Sequence, residues 1–309
     1  MSDKYRLVTR SDFDGLVSAV LMEQLGLIDD ILFVHPKDMQ DGLVAITDRD
    51  ICTNLPYVPG AHLVFDHHHS ETIRNQGQAE NHIIDPAAPS CARVVYDYYG
   101  GEEAFPNIQL DMMEAVDKAD SANYELNDVL FPSDWTLLNF VMDARTGLGR
   151  FRDFRISNYQ LMMKLIGLCA DHSIEEILRD PDVSERVELY REHEGPFKEQ
   201  LKRSTRVEGK VLVVDLRDED VIFAGNRFMI YAMYPDTFMS IHVLWGKQRQ
   251  NTVFAMGKSI IDRSSRTNVG TLMLEHGGGG HRAAGTCQVS HDEADRVLEA
   301  LIYRVNANG

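Results

Sequence analysis

The stretch Leu63-Val64-Phe65-Asp66-His67-His68-His69 places an aspartate and three histidines directly behind a short apolar run. The apolar run predicts a buried strand, so we expect the polar cluster at the point where that strand ends. In parallel α/β sheets, ligands bind in the crevice beyond the carboxyl ends of the strands. An exposed polar turn is the simpler interpretation of residues 66–69, but consecutive histidines after an aspartate are better suited to holding a transition metal.

Acidic residues follow two other predicted strands. A first strand at residues 5–9 leads into Asp12-Phe13-Asp14-Gly15, and a strand at residues 43–46 leads into Asp48 and Asp50. Because parallel strands end at the same edge of a sheet, we expect these carboxylates to lie near the histidines. Carboxylates mixed with imidazoles suit Mn²⁺, Mg²⁺, Fe²⁺ or Co²⁺. Two metal ions roughly 3.5–4 Å apart are a common device for phosphoester hydrolysis, since they lower the pKa of a bridging water.

The segment Asp12-Phe13-Asp14-Gly15 has other interpretations when it is taken alone. Asp and Gly are turn formers, so a plain turn is the simplest of them. A calcium loop beginning at Asp12 would need glycine at its sixth position, where Val17 stands, which excludes that site. A haloacid-dehalogenase pattern, in which Asp12 becomes phosphorylated, fits the segment but leaves the histidine run unexplained.

The rest of the sequence predicts two α/β domains joined by a charged helix. The first domain has an amphipathic helix at residues 16–25, a helix at 90–99 and further strands at 31–34 and 83–85, followed by a helical region from 110 to about 201. The second has strands at 211–214, 238–244 and 252–256 and helices at 226–234, 269–276 and 292–305. We predict a mainly parallel-sheet domain over residues 1–183, a connecting helix over 184–206, and a smaller α/β domain over 207–309.

Composition narrows the choice of partners and of compartment. The chain has 309 residues, 44% hydrophobic and 26% charged, which is typical of a globular protein. Its net charge of −17 argues against binding to long duplex DNA. The four cysteines are scattered, as in a reducing compartment, and they form neither a zinc motif nor a disulfide framework. With no signal-peptide pattern and no apolar run of membrane-spanning length, we expect a cytoplasmic protein without a membrane partner.

A second unusual stretch is Gly277-Gly278-Gly279-Gly280-His281-Arg282. Four glycines can be a flexible linker, but these lie between a predicted helix and Ala283-Ala284-Gly285, inside the second domain. Glycines let the backbone approach a ligand closely, and successive N–H groups can form an anion-binding nest. With His281 and Arg282 adjacent, the stretch predicts phosphate recognition.

Taken together, these motifs resemble the DHH phosphoesterase superfamily with a C-terminal DHHA1 domain. Asp12-Phe13-Asp14-Gly15 is similar to the first motif of that family, Asp48 to the second, and Asp66-His67-His68 to the third. Asp120 resembles the fourth, and residues 277–281 match the glycine-rich DHHA1 signature. The motifs are in the family's order and cover nearly the whole chain.

The resemblance implies two Mn²⁺ or Mg²⁺ ions in a cleft between the domains. The implied ligands are Asp12, Asp14, Asp48, His67 and Asp120. Asp48 would bridge the two ions, His68 would contact the scissile phosphate or its leaving group, and Asp66 would orient the histidines. Asp117 is the rival of Asp120, but Asp120 fits better because the residues after it resemble the family's small residue and aromatic.

One departure from the family pattern lies before the first aspartate. Many members carry a histidine there as a metal ligand, whereas this chain has Val8-Thr9-Arg10-Ser11. A guanidinium cannot bind a cation, although Arg10 could bind phosphate. One metal would then be weakly held, or a water would take the missing place. In the second domain, the residues expected to position the substrate are Gly278, Gly279, Gly280, His281 and Arg282, with Arg263 or Arg266.

We therefore predict a metal-dependent phosphoesterase that attacks its substrate with metal-activated hydroxide, without a covalent phosphoenzyme. Short oligonucleotides, linear dinucleotides or nucleoside bisphosphates are the first choice of substrate, and polyphosphate or pyrophosphate is the alternative. A nucleotide-binding regulator with little or no catalysis is a hypothesis of another class, prompted by Arg10. Whether the chain forms a homodimer stays open.

Overall fold

The computed structural model describes residues 4–68, 71–72, 79–151 and 153–308, so that His69 lies outside the described residues. The chain divides into two compact units. The first comprises Met1–Asn123, Pro132–Ala144 and Leu148–Glu188, and the second comprises Tyr124–Phe131, Arg145–Gly147 and Leu189–Gly309. This division falls within the segment predicted as a connecting helix, and the two short pieces of the second unit come from the region predicted as part of the first domain.

The first unit is built on a sheet of five parallel strands in the order β2-β1-β3-β4-β5. The strands are β1 (Tyr5–Arg10), β2 (Ile28–Val34), β3 (Asp50–Thr53), β4 (Leu63–Asp66) and β5 (His82–Ile84). Because all five run in one direction, their carboxyl ends meet at one edge, which we call the carboxyl edge, and their starts at the opposite, amino edge. The predicted parallel-sheet architecture is confirmed.

The prediction of a strand at residues 43–46 was wrong. The strand in this part of the chain is β3, residues 50–53. Ile51, Cys52 and Thr53 are almost completely buried between β1 and β4, whereas Leu43 is 72% exposed. Val44 and Ile46 contribute only partly buried side chains, packed against the core around Cys52. Two short runs with equal numbers of β-branched residues compete for the same place in the sheet, and the one that pairs with β1 and β4 forms the strand.

Helices surround the sheet of the first unit. They are α1 (Phe13–Gln24), α2 (Pro36–Gln40), α3 (Cys91–Tyr98), α4 (Leu110–Asp120), α6 (Asp134–Met142), α7 (Asn158–Asp171), α8 (Ile174–Arg179) and the first part of α9 (Pro181–Ser204). Every residue of α1 from Phe13 to Met22 is buried, since the helix packs against α3, α4 and α7. It is therefore a central helix buried on all sides, whereas an amphipathic helix was predicted for this stretch.

The second unit contains a mixed sheet of six strands in the order β10-β11-β9-β8-β7-β6. The strands are β6 (Thr205–Glu208), β7 (Val211–Asp215), β8 (Met239–Trp245), β9 (Thr252–Lys258), β10 (Gly279–Gly280) and β11 (Ala284–Val289). Its helices are α5 (Leu126–Leu130), α10 (Met229–Met233), α11 (Val269–Leu274), α12 (His291–Ala307) and the end of α9. One apolar core forms where one face of the sheet meets α11 and α12. No helix among the described residues is long and apolar enough to cross a membrane.

Candidate metal centre and active site

The carboxyl edge of the first sheet collects the polar residues of three separate sequence motifs. Asp12 caps the N-terminus of α1 directly after β1, and Asp14 lies in the first turn of that helix. His67 and His68 follow the last residue of β4. Asp120 is the last residue of α4. The fold thus places two predicted strand ends and one helix end side by side.

Asp14, His67 and Asp120 form a cluster in which one ligand atom from each lies within 4.8 Å of the others. Nε2 of His67 lies 3.0 Å from Oδ2 of Asp120 and 3.9 Å from Oδ2 of Asp14. This nitrogen is buried and has no hydrogen-bond partner of good geometry. A buried ring nitrogen that faces two carboxylates in this way is arranged as a ligand for a cation rather than as part of a closed hydrogen-bond network.

Asp14 is held in place by the N-terminus of α3. Its Oδ2 accepts a hydrogen bond from the backbone N–H of Cys91 (3.0 Å), and its Oδ1 accepts one from that of Ala92 (2.7 Å). Burial raises the pKa of Asp14, and the charges of Asp120 and Asp12 raise it further, to about 7 despite these donors. A carboxyl group in this position is short of positive charge, which a divalent cation would supply.

The pKa shifts of His67 and Asp120 also indicate that the cluster lacks positive charge. Burial alone would lower the pKa of His67, but its contact with Asp120 and the charge of Asp14 raise that pKa to about 9. Burial would raise the pKa of Asp120, and His67 instead holds it below its usual value. A divalent cation would take the place of the imidazolium proton, and carboxylate oxygens with one imidazole suit Mn²⁺ or a similar ion. These residues fit a metal.

Asp66 orients the histidine next to the cluster. Its side chain is fully buried, and Oδ1 accepts hydrogen bonds from the backbone N–H of His67 (2.8 Å) and of His68 (3.1 Å). The same oxygen lies 2.6 Å from Nδ1 of His68. Burial opposes a charged His68, but Asp66 raises the pKa of its ring. Since a carboxylate accepts the proton on Nδ1, the chemistry of His68 is left to Nε2.

The two candidates for the fourth motif have different surroundings. Asp117 accepts hydrogen bonds from Oγ of Ser90 (2.7 Å) and from Nε (3.0 Å) and Nη2 (2.6 Å) of Arg93. Its charge is therefore already paired. Asp120 is the one that lies against His67, so the geometry favours Asp120 over Asp117 as a metal ligand.

Comparisons with known proteins agree with this site. A solved structure described as the pGpG-specific phosphodiesterase PggH from Vibrio cholerae shares 62% sequence identity with this chain, covering 99% of this chain and 100% of that one with a TM-score of 0.87. The chain belongs to the DHH phosphoesterase superfamily. The predicted family, α/β fold class and hydrolase activity are thereby confirmed. This family membership excludes the dehalogenase-type interpretation.

More distant comparisons add only the fold. RecJ from Thermus thermophilus, solved with Mn²⁺, is 13% identical over 97% of this chain and 52% of that chain, with a TM-score of 0.53. No family model and no curated protein matches the chain.

The second DHH motif is where the structure departs from our prediction. Asp48 is exposed and precedes β3, at the amino edge of the sheet. The next residue, Arg49, bonds to the start of β1: its carbonyl accepts from Arg6 N (2.9 Å), and its Nη2 donates to Lys4 O (2.7 Å). A strand of six residues separates this edge from Asp12 by roughly 16 Å, at about 3.3 Å per residue. Asp48 is therefore not brought to the cluster, and its predicted bridging role has no support.

Asn54 stands where we expected Asp48. It follows β3 directly, with a positive φ of 55° that asparagine tolerates. Its backbone N–H donates to Phe65 O (3.2 Å), and its side-chain Nδ2 donates to Oδ1 of Asp12 (3.1 Å). No local signal identifies Asn54, because the run before it and the run at residues 43–46 each contain two β-branched residues, which favour a strand equally.

The glycines of the DHHA1 signature are explained first by close packing of the backbone. The strand β10 pairs with β11, and a Cβ on Gly278 or Gly280 would lie 2.0 Å from Thr286 O or 2.3 Å from Ala284 O. Three N–H groups of this stretch already donate to backbone carbonyls: Gly277 to Leu274, Gly278 to Met273, and His281 to Ala284. The anion-binding nest predicted for this stretch therefore does not include these three groups. Gly279, the remaining predicted glycine, lies in β10 opposite Thr286.

The basic residues predicted to bind substrate are exposed side chains of the second unit. His281 and Arg282 follow β10, and Arg263 and Arg266 lie in the segment between β9 and α11. Nε of Arg263 donates to Ile260 O (3.1 Å). Burial lowers the pKa of Lys258, and the charge of Arg282 lowers it further, so these two cations lie near each other. Their roles in binding substrate stay predictions.

Proposed function

We propose that this protein hydrolyses linear dinucleotides of the pGpG type to mononucleotides, using a divalent cation, Mn²⁺ or Mg²⁺, held by Asp14, His67 and Asp120. The observation that carries the proposal is the convergence of these three side chains, with a buried imidazole nitrogen that faces both carboxylates. Support for the substrate comes from the 62% identical structure, which is described as specific for pGpG.

In the proposed reaction, water adds to the phosphorus that links the two nucleosides, and the bond from that phosphorus to the 3′ oxygen breaks. When bound, the cation neutralises phosphate charge and lowers the pKa of water, so that a nucleophile exists near neutral pH. Asp66 holds the Nδ1 proton of His68 and so fixes the direction of its ring. In this proposal, His68 gives a proton from Nε2 to the leaving 3′ oxygen.

The chain's own charge supports a short substrate. A net charge of −17 opposes the approach of a long polyanion, whereas a dinucleotide carries only a few negative charges. Arg10, at the end of β1 and 31% exposed at its side chain, is a further candidate contact for a phosphate oxygen.

The test is release of mononucleotide or phosphate by metal-stripped protein that is resupplied with Mn²⁺ or Mg²⁺. The panel holds pGpG, adenosine 3′,5′-bisphosphate, pyrophosphate and polyphosphate. We expect GMP from pGpG only when a metal is present, with little release from the other compounds. Rapid release from polyphosphate with pGpG left intact would overturn the choice of substrate, and equal release with and without metal would overturn the role of the cation.

A further inference from the structure

We propose that Arg10 and Asn54 take the place of a second metal ion, so that this chain binds one divalent cation where the family resemblance implied two. The inference rests on the proposed cation at Asp14, His67 and Asp120. It concerns the neighbouring position around Asp12, where the second cation was expected.

The carboxylate of Asp12 already has charged and hydrogen-bonding partners on both of its oxygens. Nε of Arg10 lies 2.9 Å from its Oδ2, and this ion pair is largely shielded, with side-chain exposures of 31% and 18%. Its Oδ1 accepts from Nδ2 of Asn54 (3.1 Å) and from the backbone N–H of Gly15 (3.0 Å). A cation at Asp12 would have to displace a guanidinium that brings the same sign of charge.

The place of a bridging ligand is held by a neutral amide. Asn54 follows β3 directly and lies beside Asp12, and its backbone N–H donates to Phe65 O (3.2 Å) and to Sγ of Cys91 (3.1 Å). Two divalent cations about 4 Å apart repel each other four times as strongly as two unit charges, so a shared anion is needed between them. An amide brings no charge to offset that repulsion.

The described part of the chain offers no other group of three metal-binding side chains for a second cation. Those residues contain one group of three metal-binding side chains, Asp14, His67 and Asp120. The acids expected after the third strand, Asp48 and Asp50, lie at the other edge of the sheet. Arg10 therefore supplies, as a fixed guanidinium, the positive charge that a second ion would bring to a bound phosphate.

The first experiment measures metal content without substrate. The full chain is stripped with chelator and titrated with Mn²⁺ by calorimetry, with bound metal counted by mass spectrometry and the ion's environment followed by electron paramagnetic resonance. We expect one equivalent and the spectrum of an isolated Mn²⁺. Two equivalents with an exchange-coupled spectrum would overturn the inference while leaving the proposed hydrolysis intact, and no binding would overturn both.

A matched pair of substitutions within one motif sharpens the result. Asp14→Asn should weaken Mn²⁺ binding by more than about 100-fold, since loss of an outer-shell partner already costs about 10- to 100-fold. Asp12→Asn should keep one equivalent, with affinity changed by less than about tenfold. Loss of Mn²⁺ from Asp12→Asn as large as that from Asp14→Asn, with melting temperatures unchanged, would show that Asp12 is a ligand and overturn the inference.

A double variant at Arg10 and Asn54 tests whether binding of a second metal ion can be restored. Arg10→His combined with Asn54→Asp replaces the guanidinium with an imidazole and the amide with a carboxylate. We expect this double variant to bind a second equivalent of Mn²⁺. A folded double variant that still binds one would show that Arg10 and Asn54 are not what excludes the second ion.

Discussion

The two edges of the first sheet each bury an aspartate, and they treat its charge in opposite ways. At the amino edge, Asp50 accepts from Nε (2.7 Å) and Nη2 (3.0 Å) of Arg6 and from the backbone N–H of Thr47 (2.7 Å). Although burial opposes it, Arg6 and Thr47 hold the pKa of Asp50 below its usual value. At the carboxyl edge, burial and the charge of Asp120 raise the pKa of Asp14 to about 7.

The difference lies in what surrounds each carboxylate. At the amino edge, the guanidinium of Arg6 neutralises the charge of Asp50, and the backbone N–H of Thr47 donates a hydrogen bond to it. Because Asp50 needs no external cation, its role is structural. At the carboxyl edge, the carboxylates of Asp14 and Asp120 face one imidazole, that of His67, which leaves a deficit of positive charge. Such a deficit is typical of a site that binds a cation. A buried acid by itself therefore does not distinguish structure from function, and its partners do.

The largest expected effect is on kcat/KM, when one aspartate at each edge of the sheet is replaced with asparagine. Asp14→Asn should lower kcat/KM for pGpG by about 10³-fold or more, because it removes a proposed metal ligand from the site. Asp48→Asn should stay within about twofold of the unmodified protein, because surface changes away from a site have little effect. Both are measured by GMP release at saturating Mn²⁺. Strong loss in Asp48→Asn with a folded protein would return Asp48 to the active site.

Two histidines that flank β4, His62 before it and His68 after it, allow the two edges to be compared by their effect on kcat. His68→Gln removes the proposed proton donor and should lower kcat by about 10²- to 10⁴-fold, the usual range for general acid–base catalysis. His62 lies just before β4, where its ring stacks on Tyr5 with 4.2 Å between centroids. His62→Gln is the control, and its kcat should be unchanged. Equal kcat values for the two variants would remove His68 from the mechanism.

Removing the ion pair at the amino edge should lower the free energy of unfolding, whereas removing an exposed ion pair should leave it nearly unchanged. Asp50→Asn breaks the pair with Arg6 and should lower the free energy of unfolding by about 2 kcal/mol, since hydrogen bonds to charged groups contribute about 1.5–3 kcal/mol. Asp41→Asn, which breaks the exposed pair with Lys37, should change it by less than about 0.5 kcal/mol. Urea unfolding measures both. Similar values for the two variants would contradict the structural role of the amino edge.

The smallest expected effect is the pH dependence of that stability difference. Because the pKa of Asp50 is lower in the folded protein than in the unfolded chain, its contribution is complete above the unfolded pKa, about 3.9. It is lost as pH falls through the lower, folded pKa. The gap in unfolding free energy between the unmodified protein and Asp50→Asn should therefore be constant from pH 7 to 5 and shrink near pH 3. A gap that persists at pH 3 would show that packing, not charge, is what the substitution removes.

Local patterns were sufficient for several parts of the fold and of the candidate site. The strand β4 and the centre of β1 are apolar, and both strands lead into polar motifs. Short patterns therefore placed Asp12, Asp14, His67 and His68 just beyond strand ends. The glycine run was predicted to bring the backbone close to a ligand, whereas the structure shows part of it paired with β11. The burial of α1 on all sides escaped prediction, because its surroundings come from three helices distant in the sequence.

By itself, the sequence determined which residue types were available and which polar motifs follow β1 and β4. Only the tertiary structure decided which apolar run becomes β3, because that choice depends on pairing with β1 and β4 on either side. That single choice moved Asp48 to the amino edge and placed Asn54 beside Asp12, 42 residues away along the chain. Short-range patterns record the local preference of a segment, whereas the partners of a charge are set by contacts between segments, and these partners give the two edges their different chemistry.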